Sequence, residues 1–153
     1  TFPHRCSHGN EEGEDSDIEE EGEDMEGGNN HRQDIGRAGE ELACGMLRDM
    51  GHVILERNWR GGHLEIDIIS YDSDGIHFVE VKSRKKSIQA PPQMNVDHTK
   101  QRNITNAARR FLRTAKGLLY SGHECHFDVV AVTFTGNDPV IEWFPQAYIP
   151  IFI

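Results

Sequence analysis

The sequence predicts a mixed α/β domain in which helices flank one central sheet, with the element order αβββαββ. Two segments repeat apolar residues at three- and four-residue steps, which is typical of amphipathic helices. Five shorter apolar runs are bounded by Gly, Asp, Asn or Pro, which is typical of strands separated by turns. A chain of 153 residues has room for one such domain.

The first predicted helix begins at Asp34, where the composition changes from acidic to amphipathic. Its apolar positions recur at helical spacing: Ile35, Ala38, Leu42, Ala43, Met46, Leu47 and Met50. Gly51 follows this stripe, and a glycine at that place commonly ends a helix. Residues 52–57 (HVILER) then predict a short strand.

Two further strands are predicted to form a β-hairpin. Residues 64–70 (LEIDIIS) and 76–82 (IHFVEVK) are both strand-like, and the turn-forming segment 71–75 (YDSDG) joins them. A basic and then proline-rich loop, residues 83–96, follows the hairpin.

A second helix is predicted from the N-cap residue Asp97 to about Lys116. One side of it is apolar, with Ile104, Ala107, Ala108, Phe111, Leu112 and Ala115. The opposite side is cationic, with Arg102, Arg109, Arg110, Arg113 and Lys116. Residues 127–134 and 140–144 supply the last two predicted strands.

Charge divides the chain into two predicted regions. Residues 1–34 hold 12 acidic and 2 basic residues and almost no large apolar side chains, so they predict a disordered acidic tail. Residues 35–153 hold 14 residues of each sign and form the predicted domain. Within it, residues 82–116 carry ten basic residues against one acid, Asp97, which predicts a surface that binds a polyanion.

The composition excludes one class of protein, the integral membrane proteins, and argues against another. No run approaches the roughly 18 apolar residues that a membrane-spanning helix needs. Cys6, Cys44 and Cys125 are odd in number and form no CxxC pair, which argues against a disulfide framework. We therefore expect a reducing compartment, the cytoplasm.

Acidic residues on the two hairpin strands form the first candidate site. Because side chains i and i+2 share a face of a strand, Glu65 and Asp67 are expected to point away from the isoleucines that flank Asp67. Glu80 and Lys82 likewise share a face, and pairing of the strands would bring Asp67 beside Glu80.

Two adjacent carboxylates repel each other unless a cation compensates. Mg²⁺ or Mn²⁺, which prefer oxygen ligands, would do so, and a lysine beside them is suited to orient water or to neutralise phosphate charge. The alternative is an ordinary solvated strand face with a cross-strand ion pair.

Three motifs resemble the YraN-type family of predicted bacterial endonucleases. They are GRAGEELA (36–43), HLEIDII (63–69) and FVEVKSR (78–84), in that order. The family belongs to the PD-(D/E)XK nuclease superfamily and is similar to archaeal Holliday-junction resolvases. The resemblance covers about residues 35–150 and implies a restriction-endonuclease-like αβββαβ core with a mixed central sheet.

The resemblance also implies a catalytic site. Glu40, Asp67 and Glu80 would bind Mg²⁺ or Mn²⁺ together with the carbonyl of Val81, and Lys82 would position the attacking water. An ordinary helical acid, favoured by the helix dipole, is the alternative for Glu40.

Two more residues would support these ligands, namely Glu65 and Gln101. Each has an alternative: Glu65 could pair with a base across the sheet, and Gln101 could be a simple polar neighbour. Ile66 replaces the proline that names the superfamily, a residue that takes no part in the chemistry.

The chain is therefore expected to be a metal-dependent endonuclease that hydrolyses phosphodiester bonds in DNA, with structured or branched DNA as the expected substrate. The DNA backbone would bind Arg84, Lys85, Lys86, Arg102, Arg109, Arg110, Arg113 and Lys116. The alternative is a non-catalytic module that binds nucleic acid or protein on a nuclease fold. The apolar residues 147–153 could form a homodimer contact or a final edge strand.

Zinc offers a third hypothesis. His123, Cys125 and His126 lie close together in the sequence, and zinc prefers such ligands. A closed structural site needs four ligands, so Cys44 or His77 would have to complete it. The protein would then be a zinc-stabilised adaptor.

Overall fold

The computed structural model describes residues 27–86 and 96–148. Its helices are α1 (Gly27–Asp49), α2 (His98–Arg113) and the single turn α3 (Ala115–Leu118). Its strands are β1 (Val53–Gly61), β2 (Leu64–Asp72), β3 (Gly75–Lys85), β4 (Cys125–Phe134) and β5 (Val140–Phe144). No helix within these two ranges is long and apolar enough to cross a membrane.

Three sequence predictions fall wholly or partly outside the described residues. They are the acidic tail as far as residue 26, residues 87–95 of the proline-rich loop, and residues 149–153 of the apolar C-terminal run with its dimer contact.

The five strands form one sheet and lie in chain order across it, from β1 to β5. Neighbouring strands are antiparallel except β3 and β4, which run parallel and are connected through α2 and α3. A parallel pair needs such a crossover, whereas the antiparallel pairs need only short turns. The mixed sheet flanked by helices is the predicted fold class, and it fits the restriction-endonuclease-like core that the resemblance implies.

Two apolar cores lie on opposite faces of the sheet. The α1-side core consists of Ala43, Cys44, Leu47, Ile68, Val79, Val130 and Val132. The α2-side core includes Ile66, Ile69, Phe78, Ile104, Ala107, Phe111 and Val129. The central residues of the predicted apolar stripes therefore face the sheet from both sides, whereas Ala38 and Met50 of the α1 stripe are exposed.

Helix α1 ends where the sequence predicts, in a Schellman motif. Gly51 has a φ of 97°, which a glycine adopts without strain, and its N–H donates to the carbonyl of Arg48 at 2.9 Å. The N–H of His52 donates to Leu47 at 2.9 Å. The helix begins at Gly27 rather than at Asp34, and residues 30–34 of this extension are polar and exposed, so no apolar stripe marks it in the sequence.

Helix α2 ends earlier than predicted, at Arg113 rather than near Lys116. Thr114 is extended (ψ 159°), and its hydroxyl accepts the N–H of Gly117 at 3.1 Å to begin α3. A Cβ on Gly117 would lie 1.9 Å from the carbonyl oxygen of Phe111, so this turn back against α2 requires glycine. Ala115 is consequently exposed instead of belonging to the buried stripe.

Side-chain alternation in β2 is interrupted at Asp67. Ile66 belongs to the α2-side core and Ile68 to the α1-side core, whereas strict alternation would place both on one face. Asn58 on β1 has a left-handed φ of 49° and lies between the residues that pair with Ile66 and Ile68. The prediction that these isoleucines share a face is therefore wrong, because both strands reset their alternation at this point.

Gly39 sets how closely α1 approaches β3, and Gly36 provides a matched control. A Cβ on Gly39 would lie 2.8 Å from the Cβ of Ser83, whereas a Cβ on Gly36 would meet nothing within 4 Å. We expect Gly39→Ala to lower the free energy of unfolding by about 1–3 kcal/mol through overpacking. Gly36→Ala should raise it by about 0.5–1 kcal/mol, because alanine favours the helix. Urea unfolding of both variants tests this, and equal effects would contradict the close approach.

Candidate functional site

The candidate site lies where β2 and β3 separate. The two strands pair from the turn as far as Ile68 and Val79, and beyond that point β2 is paired with β1 while β3 is paired with β4. Asp67 is the next residue on β2, and its Oδ2 accepts the backbone N–H of Val81 at 2.8 Å. The carboxylate thus replaces a ladder hydrogen bond at the opening, and the same register places Glu80 beside Asp67.

The two carboxyl groups interact strongly. Burial and the neighbouring charge of Glu80 raise the pKa of Asp67 to about 7, while the hydrogen bond from Val81 opposes the shift. A side-chain hydrogen bond with Glu80 also raises the pKa of Asp67. The predicted juxtaposition of Asp67 and Glu80 is therefore present, and it carries the like-charge repulsion expected of such a pair.

Lys100 completes this cluster, and the sequence analysis assigned it no role in the site. Its Nζ lies 3.2 Å from Oε1 of Glu80, at the first turn of α2. Partial burial opposes the charge, but the Glu80 carboxylate outweighs it and raises the pKa of Lys100. Lys100 directly precedes Gln101, which the family resemblance marks as a supporting residue. This position was the sequence signal for a role of Lys100 in the site.

Glu40 lies on α1 and approaches the Asp67–Glu80 pair from that helix. It directly follows Gly39, the residue at which α1 packs closely against Ser83. Burial raises the pKa of Glu40, a hydrogen bond with Asn58 lowers it, and the charge of Asp67 raises it again. Within the described ranges, Glu40, Asp67 and Glu80 do not bring three donor atoms within 4.8 Å of one another. The structure thus places Glu40 near Asp67 but outside a tight three-carboxylate cluster.

The supporting residues have different surroundings. Lys82 is half-buried and follows Glu80 by two positions on β3, so both side chains share a face. Glu65 is exposed, and an oxygen of its carboxylate lies 3.9 Å from Arg60. The side-chain amide of Gln101 donates to the carbonyl of Val96 at 2.7 Å, which fixes the chain before α2.

The predicted DNA-binding residues divide by their contacts. Arg110 donates to the carbonyl of Gly61 at 3.0 Å, and Lys116 lies 2.9 Å from a carboxylate oxygen of Glu56, so these two cations also hold α2 and α3 against β1. Arg102 and Arg113 are exposed on α2, Arg109 is half-buried there, and Lys86 is exposed beyond β3.

Arg84 and Lys85 line a cavity of about 500 Å³ together with His31, Arg32 and Ile35 of α1. His31 and Arg32 belong to the predicted acidic tail, and their position at this cavity was not predicted. The α1 helix carries both residues to the end of β3. Arg32, Arg84 and Lys85 make this cavity cationic.

A second cluster of ionisable residues lies on the opposite face of the sheet. His52, Asp72 and His77 bring one donor atom each within 4.8 Å of one another. His77 also contacts Asp128 at 2.6 Å, and Asp128 is fully buried. An acid within the apolar run 127–134 was the signal that sequence analysis left unused, because a buried carboxylate needs a partner.

The residues of the zinc hypothesis do not converge. The ring of His123 packs on Tyr71 with 5.1 Å between centroids, and Cys125 is exposed. His126 instead stacks on His77 at 4.6 Å. The described part of the chain therefore places no common zinc site at His123, Cys125 and His126.

An oxygen-preferring divalent ion fits the Asp67–Glu80 pair. The charge of Glu80 raises the pKa of Asp67, and the Lys100 ammonium lies 3.2 Å from a carboxylate oxygen of Glu80. Mg²⁺ and Mn²⁺ bind through one or two carboxylates together with other oxygen ligands, and Asp67 and Glu80 are two such carboxylates.

Sequence comparison places the chain among known proteins. Residues 39–132 match the model of the Uncharacterised protein family UPF0102. The chain belongs to this family. A UPF0102 protein of Geobacter metallireducens is 41% identical over 119 residues, which are 77% of this chain and 94% of the relative. A UPF0102 protein of Stutzerimonas stutzeri is 38% identical over 116 residues, or 76% of this chain and 95% of the relative.

UPF0102 is the YraN-type family that the three sequence motifs resemble. The matched range contains the residues of the carboxylate cluster and of the histidine cluster, from Glu40 to Asp128. It leaves out the acidic tail.

The raised pKa of Asp67 predicts how stability depends on pH. The carboxyl has a pKa of about 7 when folded and about 4 when unfolded. Between these values the folded chain keeps a proton that the unfolded chain has lost, so this group makes stability fall as pH rises through that window. Asp67→Asn removes the effect.

We therefore expect the stability difference between Asp67→Asn and wild type to shift in favour of the variant between pH 4 and pH 8. The shift should be on the order of 1–3 kcal/mol. Urea unfolding in EDTA measures it, with Asp49→Asn as the control because Asp49 is exposed at the end of α1. Parallel stability curves for Asp67→Asn and wild type would contradict the raised pKa.

Proposed function

We propose that this UPF0102 protein is a metal-dependent nuclease that hydrolyses phosphodiester bonds in DNA. The observation that carries the proposal is the Asp67–Glu80 pair at the point where β2 and β3 separate. A buried like-charge pair is costly to the fold, so a ligand that uses it is the simplest reason for its presence. The family resemblance supports the same assignment.

Asp67 and Glu80 would hold Mg²⁺ or Mn²⁺, with the Val81 carbonyl as a further oxygen. Glu40 would contribute through an intervening water, because it stands outside the tight group of carboxylates. When bound, the ion supplies Lewis-acid stabilisation of charge on the phosphate oxygens.

Two lysines assist from the protein. Lys82 shares the face of Glu80 on β3 and would orient the attacking water. Lys100 is held beside Glu80 at 3.2 Å and would neutralise negative charge that develops on the phosphate. Because both groups are fixed by β3 and α2, they require little reorganisation when substrate binds.

The cationic cavity at the end of β3 favours a nucleic-acid substrate. Arg32, Arg84 and Lys85 line it, and its volume is about 500 Å³. The exposed Arg102 and Arg113 add charge along α2. Phosphate contacts of this kind supply affinity without sequence preference, which suits an enzyme that selects DNA by structure. We therefore propose structured or branched DNA as the substrate.

Cleavage of a labelled four-way DNA junction and of the matching linear duplex tests the proposal. We expect Mg²⁺-dependent cleavage that falls at least about 100-fold in Asp67→Ala and Glu80→Gln, because each removes a ligand from the ion. Asp49→Asn, an exposed acid on α1, is the control and should keep wild-type activity.

Unchanged cleavage in Asp67→Ala would refute the assigned site. Junction binding by wild type without any cleavage, and without dependence on Mg²⁺ or Mn²⁺, would instead support the non-catalytic binding module.

The cationic cavity gives a separate prediction about binding. Arg84→Gln combined with Lys85→Gln should weaken junction binding, and the slope of log affinity against log salt should fall by about 2, since two phosphate contacts are removed. Arg48→Gln removes an exposed arginine elsewhere and should leave the slope unchanged. Fluorescence anisotropy at several salt concentrations measures both. An unchanged slope in the double variant would exclude this cavity as the DNA contact.

A further inference from the structure

The histidine cluster consists of His52, Asp72 and His77 and lies at the end of the sheet opposite the carboxylate pair. It connects the junction of α1 and β1 with β2 and β3. His52 lies between α1 and β1, Asp72 ends β2, and His77 lies on β3. Nε2 of His52 is 3.2 Å from Oδ2 of Asp72, and Nε2 of His77 is 2.7 Å from Oδ1 of the same carboxylate. Two imidazoles thus present their Nε2 atoms to one carboxylate.

The other ring nitrogens are held by buried partners. Nδ1 of His77 is 2.6 Å from Oδ2 of Asp128, and Nδ1 of His52 is 2.9 Å from Oγ of Ser70. Both partners are buried, with 1% exposure or less. Metal-binding histidines are typically oriented this way, with the second ring nitrogen bonded to a carboxylate or another oxygen.

We propose that His52, Asp72 and His77 form a binding site for a zinc-type divalent ion. Two imidazole nitrogens and one carboxylate oxygen are a donor set that proteins use for Zn²⁺. This set is softer than the all-oxygen set at Asp67 and Glu80, so the two sites would select different metals.

Hydrogen bonding explains why an ion suits this site better than a proton alone. Asp72 and Asp128 flank the two ring nitrogens of His77, so with both carboxylates ionised and no ion bound, His77 donates from both nitrogens and carries a positive charge. An ion bound at Nε2 takes over that role and leaves the bond from Nδ1 to Asp128 in place. It would also balance the charges of Asp72 and Asp128.

The surroundings leave access to the cluster. The Asp72 side chain is 15% exposed, whereas the His52 side chain is 1% exposed. A cavity of about 150 Å³ adjoins His77 and is lined also by Trp143 and Asp128. The buried Nε1 of Trp143 has no acceptor within the described ranges, so the cavity holds a donor that water or another ligand would satisfy.

The ion would act on the fold rather than on the proposed cleavage. His77 and Glu80 are three residues apart on β3, so their side chains lie on opposite faces of the sheet. Binding at the cluster would tie the end of α1 to β2 and β3 directly, and to β4 through Asp128. We therefore expect zinc to raise the melting temperature.

Zinc titration of the chelator-stripped full chain tests the proposal. We expect wild type to bind zinc and to melt several degrees higher with it, because a ligand that binds the folded chain stabilises it. His52→Gln and His77→Gln should bind zinc at least about 10-fold more weakly. His63→Gln, which replaces an exposed histidine in the β1–β2 turn, should retain wild-type affinity.

X-ray absorption of zinc-loaded wild type keeps the test decisive if the histidine variants fail to fold. The expected shell contains imidazole nitrogen and oxygen without sulfur. Sulfur in the shell would instead indicate a cysteine ligand, such as Cys6 beside His4 and His8 in the sequence. Sulfur ligation, the absence of zinc binding by wild type, or equal affinity in a folded His77→Gln each overturns the proposal. A failure of cleavage alone would leave it standing, since the zinc site does not involve Asp67.

Discussion

The separation of β2 and β3 after Ile68 and Val79 is the constraint on which the candidate active site depends. A paired hairpin would use the N–H of Val81 in its ladder, and a buried N–H cannot be left without an acceptor. Asp67 supplies that acceptor from its side chain. The carboxylate is therefore needed where the sheet opens, and the hairpin register places it beside Glu80 at that point.

The same opening explains the irregular backbone of the neighbouring strand. Arg57 forms an ion pair with Glu41 on α1 at 2.8 Å, whereas Trp59 packs edge-on against Phe111 on α2. In a regular strand, Arg57 and Trp59 would point to the same face of the sheet. The left-handed Asn58 between them turns their side chains to opposite faces. The side chain of Asn58 also forms a hydrogen bond with Glu40. The residue that reverses the side-chain alternation of β1 therefore also positions an acidic residue of the candidate site.

The sequence predicted the local features well and the tertiary ones incompletely. Gly51 and Asp97 mark helix ends through backbone chemistry that acts within one turn, and both predictions are confirmed. The spacing of Asp67 and Glu80 across a short turn fixes their register, so their contact was also predictable. The face of the sheet to which Ile66 points was not predictable, because it depends on the irregular backbone at Asn58. The alternation of apolar and polar residues in the sequence does not mark that irregularity. The cluster of His52 and its partners joins distant segments and likewise escaped local patterns.

The histidine cluster and the carboxylate pair are coupled through the register of β3. Shifting a strand by one residue would turn every side chain to the other face, so Glu80 faces Asp67 only while the hairpin and the β3–β4 pair keep their register. Like charges at Asp67 and Glu80 oppose that register, whereas the bonds of His77 to Asp72 on β2 and to Asp128 on β4 favour it. These bonds lie toward the turn, on the opposite face of β3 from the carboxylates. The fold thus places a strongly bonded buried network where it can hold a repulsive pair in position without occupying the face that substrate would reach.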